Sequence, residues 1–188
     1  FTTPMMERLK ADPAAKGIEF EYYPAEQLGK AKDLLSLTQS GLVDVAYVGP
    51  GFVSDKMPLS VVAELPLPYT GSCQATLAYW NLAKPGGLLD KKEFAPNGVR
   101  LLFTIVLPPY QVITRKPFAS LKDLEGMKIR ASGSAKELLL KELKAVPVLM
   151  PTPEVYESLS RGTIVGVLFP FNSLAPYGID KLSKSGTI

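Results

Sequence analysis

Short apolar runs recur along the chain and are separated by amphipathic segments. Residues 18–23 (IEFEYY) alternate apolar and polar positions with the period of two that a half-buried strand shows. β-Branched and aromatic residues are concentrated in the other runs, which predicts further strands. These runs are LVDVAYV (42–48), GVRLLFTIV (98–106), MKIRA (127–131), VPVLM (146–150) and VGVLF (165–169).

The segments between these runs carry the signals of helices. A loop and then a helix that ends at Gly41 are predicted within residues 24–41, and a further helix is predicted over 71–84. Residues 151–162 predict another helix, because Pro153 stands near its first turn. Helices that alternate with short apolar strands indicate an α/β fold whose sheets are covered on both faces.

Two helical segments stand on either side of the MKIRA run. Residues 120–126 predict a short helix in which Ser120 and Asp123 form a capping box. Residues 134–145 predict a longer helix with leucines on one face, and we expect that apolar face to pack on the core. The leucines on this face are Leu138, Leu139 and Leu143.

Two αβ units in the chain share one pattern. Residues 34–50 and residues 155–171 each contain an amphipathic helix, a small residue and glycine, a buried strand and a proline-marked turn, at an offset of 121 positions. Any two αβ units look alike to some degree, which is one explanation. The other explanation is that the chain forms two similar lobes, residues 1–107 and residues 108–188, and that Pro108 and Pro109 stand at the crossing between them. Because ligands of open α/β sheets bind beyond the carboxyl ends of strands, a cleft between such lobes is the expected site.

The composition excludes several classes of function. The chain has 188 residues, no histidine and one cysteine, Cys73, which excludes a Ser-His-Asp triad, a disulfide within the chain and most zinc sites. We therefore expect that the protein is not an enzyme and that it binds neither a cofactor nor a metal ion. Lys and Arg number 21 against 18 Asp and Glu and are scattered, which disfavours nucleic acid as a partner. The longest apolar stretch, residues 101–110, is too short to span a membrane.

Arg130 stands at the carboxyl end of the MKIR run, directly before the small residues ASGSA. Small residues let the backbone approach a ligand, and Ser132 and Ser134 stand where free N–H groups begin a helix. The rigid fork of an arginine can bind both oxygens of a carboxylate, so this arrangement predicts a receptor for a carboxylate or a phosphate. On position alone, a solvated charge at the end of a strand explains Arg130 equally well.

Several longer segments occur in a characteristic order. They are FEYYPAEQLGKAKDLLSLTQSGLVDVAYVGPGF, AELPLPY, SLKDLEGMKIRASGSAKELL, VPVLMPTPEVYESLSRG and VGVLFPF. Together they resemble the solute-binding proteins of tripartite ATP-independent periplasmic (TRAP) transporters, the DctP-like family, over nearly the whole chain. The resemblance implies a two-lobed periplasmic-binding-protein-like fold with a ligand cleft between the lobes. It also implies a periplasmic protein that delivers an organic acid to membrane permease subunits for sodium-coupled uptake, with Arg130 as the residue that grips the carboxylate.

Four positions depart from the pattern of the family. Tyr110 stands where many sialic-acid and dicarboxylate binders have a second arginine, and Thr152 stands where an aromatic residue often stacks on the ligand. Val165 replaces an aspartate, and Phe169 falls at a ligand-binding asparagine. These changes make the expected site more apolar and favour a monocarboxylate with an apolar or aromatic body. The expected ligand-binding residues are Arg130, Tyr110, Phe169, Thr152, Asn172, Gln27, Tyr47 and Phe52.

The resemblance also bears on the extent of the chain and on alternative functions. It places Phe1 just after the first strand of the family and Ile188 well before the end of a complete member, so we expect the C-terminal part of the fold to be missing. The effector-binding domain of a transcriptional regulator with a similar two-lobed fold is the main alternative function. An enzyme built on a similar fold is a third, which the absence of histidine disfavours.

Overall fold

The computed structural model describes residues 2–65 and 69–187, and in this part the chain forms five α-helices and one mixed sheet. Residues 66–68 of the AELPLPY motif lie outside the described residues. The helices are α1 (Thr2–Ala11), α2 (Leu34–Gln39), α3 (Ser72–Ala83), α4 (Ser134–Glu142) and α5 (Val155–Arg161). The strands are β1 (Tyr110–Thr114), β2 (Lys128–Ala131), β3 (Val146–Leu149), β4 (Gly166–Pro170) and β5 (Ser185–Gly186).

The chain divides into two compact units, Phe1–Lys30 and Ala31–Ile188. In the first unit, α1 is followed by a 3₁₀ turn that Asp12 caps, because its side chain accepts a hydrogen bond from the Ala14 N–H at 2.8 Å. Residues 18–23 of this unit have no regular secondary structure and pair with no strand in the part of the chain described. The prediction of a strand at 18–23 is therefore wrong. Alternating side chains indicate a half-buried surface, whereas a strand also requires a hydrogen-bonded neighbour.

The sheet lies in the second unit and has the strand order β3-β2-β4-β1-β5. β2 is parallel to β3 and β4, whereas β1 is antiparallel to β4 and β5. The register sets Arg130 on β2 opposite Val148 of β3 and Val167 of β4. The carboxyl ends of the three parallel strands therefore meet at one edge of the sheet, which is the edge where α/β folds bind ligands.

Side chains cover both faces of this sheet. On one face, residues of β1 and β4 pack with α5; they include Ile113, Val167, Phe169, Val155 and Leu159. On the other face, residues of β1, β2 and β4 pack with α4; they include Val112, Ile129, Leu168 and Leu140. Every residue of β4 is buried, as expected for a strand between two covered faces. The predicted α/β class, with a sheet covered on both faces, is confirmed.

A further cluster of buried side chains lies apart from the sheet and joins α2, α3 and the loops near them. It consists of Leu35, Val53, Met57, Ala75, Tyr79, Ala83, Leu89, Phe94 and Val106. The segments 42–48 and 98–106 form no strand among the described residues, so both strand predictions are wrong. Tyr47 and Leu102 are 71% and 58% exposed. These segments are rich in the residue types that are common in strands, but no neighbouring strand pairs with them in the described part of the chain.

The predicted helices are present, with small differences at their ends. The predictions within 24–41, over 71–84 and over 151–162 correspond to α2, α3 and α5. The helix predicted at 120–126 is a 3₁₀ turn with the expected capping box, in which Asp123 accepts a hydrogen bond from the backbone N–H of its N-cap serine at 2.9 Å. Local signals were sufficient here, because caps and turn glycines act within a few residues of one another.

The buried side of α4 differs from the prediction. Leu140 is fully buried, whereas Leu138 is 63% exposed and Leu139 is 43% exposed. Leu140 packs with Ile129 of β2, so the side of α4 that meets the sheet is set by its docking on that strand. The prediction of the packed face is therefore wrong for Leu138 and Leu139, whereas Leu143, just after the helix, is half-buried and packs against the same cluster as Leu140.

β1 is a strand that the hydrophobic pattern does not predict. It begins directly after Pro108 and Pro109, where we expected a crossing between lobes. β1 pairs with β4, with Tyr110 opposite Pro170 and Thr114 opposite Gly166. The pairing partner lies more than fifty residues away along the chain, so its effect is not visible in the local sequence. The division into lobes at residues 107 and 108 stays a prediction.

Candidate functional site

Arg130 is buried at the carboxyl end of β2, with 1% of its surface exposed. Its guanidinium donates hydrogen bonds from Nε to the Met150 carbonyl at 3.0 Å and from Nη1 to the Leu168 carbonyl at 3.3 Å. Nη2 donates to the Thr152 hydroxyl at 3.3 Å. These oxygens come from β4 and from the residues that follow β3, so the parallel strands hold the guanidinium in position. The alternative of a solvated charge at this position is wrong.

The charge on Arg130 has no acidic partner in the part of the chain that is described, since none of the salt bridges there includes it. A guanidinium carries five N–H donors, and the three hydrogen bonds to protein oxygens leave two of them for another acceptor. Burial lowers the pKa of Arg130 to about 10, although Tyr110 and Glu64 partly oppose this shift. The group therefore remains charged at neutral pH. A buried charge without a counterion is costly, and a bound anion would remove that cost.

Aromatic rings surround this charge. The Cζ atom of Arg130 lies 5.4 Å from the centroid of the Phe169 ring, and Tyr177 packs edge-to-face on Phe169 with 5.8 Å between the ring centroids. Burial raises the pKa of Tyr110, whereas Arg130 and the Ser132 hydroxyl act in the opposite direction because both lie close to the phenol. A cation framed by rings can hold a carboxylate that is attached to a flat apolar body.

Tyr47 belongs to the same neighbourhood. Its side chain is 71% exposed, yet loss of hydration raises its pKa, and Tyr110, Tyr177 and Glu64 raise it further. Tyr110, Tyr177 and Glu64 therefore lie within electrostatic range of the Tyr47 phenol.

The turn between β2 and α4 makes a close contact with the segment around Gly51. Gly133 has a φ of +153°, and a Cβ atom there would lie 2.9 Å from the Gly51 Cα and closer still to the Glu64 carboxylate. The Glu64 Oε1 accepts a hydrogen bond from the Gly51 N–H at 2.9 Å, and its Oε2 lies 2.9 Å from the Lys136 Nζ. Backbone and carboxylate are packed tightly here, and glycine is required at position 133 for both its conformation and its size.

Replacement of Gly133 by alanine should lower the free energy of unfolding by about 1–3 kcal/mol, because the added methyl group meets backbone and a carboxylate in a conformation that is almost restricted to glycine. Gly126→Ala is the control, since Gly126 also has a positive φ, +74°, but has open space around it. Gly126→Ala should lower the free energy of unfolding by a smaller amount, about 1 kcal/mol. Urea denaturation measures both values. Equal losses would contradict a tight contact at Gly133.

Four of the predicted site residues lie together. Thr152 hydrogen-bonds the Arg130 guanidinium, Phe169 packs beside it, and Tyr110 is close enough to Arg130 for the two to shift each other's pKa. Phe169 is only 3% exposed and also packs in the core of the sheet, so most of its ring is not available to a ligand. Tyr47 lies within electrostatic range of Tyr110. The roles of these residues in ligand binding stay predictions.

None of the hydrogen bonds or ring contacts of Arg130 among the described residues involves Phe52 or Asn172. Phe52 is half-buried in a 3₁₀ turn and packs over Gly49. Asn172 is exposed in the turn after β4, where its Oδ1 accepts a hydrogen bond from the Ser173 hydroxyl at 3.3 Å. Gln27 lies in an exposed turn of the first unit. Their part in binding stays a prediction.

Three residues near Arg130 were missed by the sequence analysis. Tyr177 contacts Phe169, and Lys136 lies over the ring of Tyr110 with its Nζ 4.7 Å from the centroid. Glu64 is the salt-bridge partner of Lys136. Glu64 stands in the AELPLPY motif, and Lys136 stands in the first turn of a predicted helix. These features locate each residue along the chain but do not indicate its contacts. No sequence feature indicates that these residues are in contact.

The described residues offer no group of three or more His, Cys, Asp or Glu side chains that could hold a metal ion. No helix within residues 2–65 and 69–187 combines the length and the apolar character that crossing a bilayer requires. What the geometry does provide is a buried cation at the carboxyl ends of the parallel strands, with aromatic side chains near it. This combination is characteristic of α/β proteins that bind small anionic molecules.

Comparison with protein families identifies the chain more closely. The family described as bacterial extracellular solute-binding protein, family 7 (DctP), matches residues 5–188. The chain belongs to this family. The membership that the sequence motifs indicated is confirmed, and members of the family are periplasmic solute-binding proteins of TRAP transporters.

Solved structures of the family share the fold. A TRAP periplasmic solute-binding protein from Bordetella bronchiseptica, with bound (R)-mandelate and (S)-mandelate, is 28% identical with a TM-score of 0.83, and the match covers 99% of this chain and 58% of that one. A TRAP solute-binding protein from Rhodoferax ferrireducens in complex with copurified benzoate is 28% identical with a TM-score of 0.81, covering 96% and 55%. These neighbours are two-lobed, so the predicted fold class is confirmed.

A curated relative shows the extent of the match along the sequence. The ectoine-binding periplasmic protein TeaA of Halomonas elongata is 25% identical over 170 residues, which cover 89% of this chain and 49% of TeaA. The chain spans about half the length of the curated relatives it matches. None of the relatives described here supports the alternative of a transcriptional regulator, and all of them are solute-binding proteins.

Proposed function

We propose that this chain is part of a periplasmic solute-binding protein of a TRAP transporter that captures an aromatic monocarboxylate. In this proposal the protein binds the acid between two lobes and delivers it to membrane permease subunits for sodium-coupled uptake. The chain itself acts by binding and catalyses no reaction. Membership of the DctP family supports the transport role, and the surroundings of Arg130 support the class of ligand.

The observation that carries this proposal is a buried guanidinium with unused donors and no acidic partner among the described residues. Arg130 is 1% exposed, and its protein contacts are two carbonyls and one hydroxyl, none of which neutralises its charge. A carboxylate accepts two parallel hydrogen bonds from a guanidinium, which fits the two remaining donors. The site is therefore suited to one carboxylate group at a defined position.

The side chains around Arg130 favour an aromatic body over a polar one. Tyr110 and Tyr177 bring rings near the guanidinium, and the largely covered Phe169 ring backs it from the core. Thr152 is the one uncharged hydrogen-bonding side chain that contacts the guanidinium. Stacking and edge-to-face contacts with rings favour a planar ligand. Two solved relatives, each 28% identical to this chain, contain mandelate and benzoate, which agrees with this inference.

A ligand panel tests the proposal on the full-length protein. We expect benzoate and mandelate to raise the melting temperature more than succinate, a sialic acid or ectoine at equal concentration. A ligand that binds only the folded state at a hundred times its Kd stabilises the protein by about 2.7 kcal/mol, which is readily measured. Isothermal titration calorimetry then gives the Kd of each acid that shifts the transition.

Two results would overturn parts of the proposal. If succinate or a sialic acid bound more tightly than every aromatic acid, the monocarboxylate and its aromatic body would be wrong, although the transport class would stand. If no organic acid in the panel bound, the assignment of Arg130 as a carboxylate receptor would be wrong. Formate at the same concentration controls for carboxylate charge without an apolar body.

A further inference from the structure

A second cation lies close to Arg130 and is neutralised within the protein. The Nζ of Lys136 is 2.9 Å from the Glu64 Oε2, and each of the two side chains is 11% exposed. The other carboxylate oxygen of Glu64 accepts a hydrogen bond from the Gly51 N–H at 2.9 Å. Both oxygens of this acid are therefore engaged, and the ion pair is partly shielded from water.

The ion pair belongs to the surroundings of the proposed carboxylate site. The Lys136 Nζ lies over the ring of Tyr110, 4.7 Å from its centroid. Tyr110 and Glu64, the two groups that Lys136 contacts, both influence the pKa of Arg130 and so lie within electrostatic range of the guanidinium. Lys136 is also in the first turn of α4, which follows β2 directly. A ligand at Arg130 would therefore meet the field of Lys136 and Glu64 together.

We propose that Glu64 limits the site to ligands with a single carboxylate by neutralising Lys136. This inference rests on the proposed function and adds the residue that determines selectivity. With Glu64 in place, Arg130 is the one cation of the site without a counterion among the described residues, and a second carboxylate on the ligand finds no free charge. Without Glu64, Lys136 becomes a second anchor for an anion.

Two substitutions should change the affinity for carboxylates in opposite directions, because one removes the negative charge of the ion pair and the other removes the positive charge. Glu64→Gln leaves Lys136 unpaired beside the site and should strengthen binding of carboxylates, most of all those with two carboxylate groups. Lys136→Gln leaves Glu64 unpaired and should weaken binding of every carboxylate by repulsion. A pair that only held the structure together would give losses in both variants, because each would break the same salt bridge.

The test measures the Kd of benzoate and of the three benzenedicarboxylates for the full-length parent, both single variants and the double variant Glu64→Gln/Lys136→Gln. In Glu64→Gln, the preference for the best dicarboxylate over benzoate should rise at least about tenfold, which corresponds to about 1.4 kcal/mol. Lys136→Gln should bind benzoate several-fold more weakly than the parent. The double variant has the net charge of the parent and should return to its preference for benzoate.

Controls separate this inference from the proposed function. Glu157→Gln removes the same charge from an exposed ion pair with Arg161 and should leave all affinities unchanged. A parent that binds no acid overturns the proposed function together with this inference. A parent that prefers benzoate, with an unchanged preference in Glu64→Gln, overturns only the inference. If Glu64→Gln does not fold, a gain or no change in affinity in Lys136→Gln overturns the inference by itself.

Discussion

Replacement of Arg130 by lysine should weaken binding of the best aromatic acid at least about a hundredfold, or by about 2.8 kcal/mol. Lysine keeps the positive charge but has a single nitrogen at its end. It cannot donate at once to the Met150 and Leu168 carbonyls and to both oxygens of a carboxylate. Isothermal titration calorimetry of the full-length variant measures the effect.

The matched control for this prediction is Arg161→Lys. Arg161 is exposed at the end of α5, so the same exchange there should change the Kd by less than about twofold. Circular dichroism and thermal unfolding show whether Arg130→Lys still folds. A folded Arg130→Lys protein that binds as tightly as the parent would show that the guanidinium is not the carboxylate receptor.

Replacement of Leu140 by alanine should lower the free energy of unfolding by about 2–5 kcal/mol, whereas Leu138→Ala should change it by less than about 0.5 kcal/mol. Leu140 is fully buried against Ile129 of β2, and its truncation leaves a cavity beneath α4. Leu138 is 63% exposed in the same helix, so its truncation removes little buried surface. Urea denaturation of the two variants measures both values.

This pair of substitutions compares one residue type at two positions in one helix, so helix propensity affects both equally. The parent chain and the two variants also share one unfolded state to a good approximation. The difference between the variants therefore reports packing alone. Similar losses for Leu138→Ala and Leu140→Ala would show that α4 does not dock on β2 through Leu140.

The helices and the parallel strands of the sheet could be predicted from the sequence, since their signals are local. The capping box of Ser120 and Asp123 and the glycine after α5 act within one turn of the chain. β4 appears as a short apolar run because covered faces on both sides require apolar residues at successive positions, and three of the four residues of β2 are buried in the same way. β3 lies at the edge of the sheet and is only partly covered, but its sequence is also a short apolar run.

Strand pairing could not be predicted from the same pattern. Residues 42–48 and 98–106 have the composition of strands and form none in the described part, whereas β1 is a strand with proline before it. Pairing depends on a partner that lies far away in the sequence, and β-propensity measures only how well a residue fits a pleated and half-buried surface.

The sequence by itself determined the α/β class, the family and the position of Arg130 at the end of a strand, because these depend on local order and on motifs. The resemblance to the family also indicated Tyr110, Thr152 and Phe169, whereas only the tertiary structure added the ion pair of Glu64 and Lys136 to the surroundings of that arginine. Glu64 and Lys136 are 72 residues apart in the chain and in contact in the fold. The docking of α4 selected Leu140 for burial over its neighbours. The physical reason is the same in both cases: a side chain's partners are set by the packing of whole elements, and a local pattern carries no record of that packing.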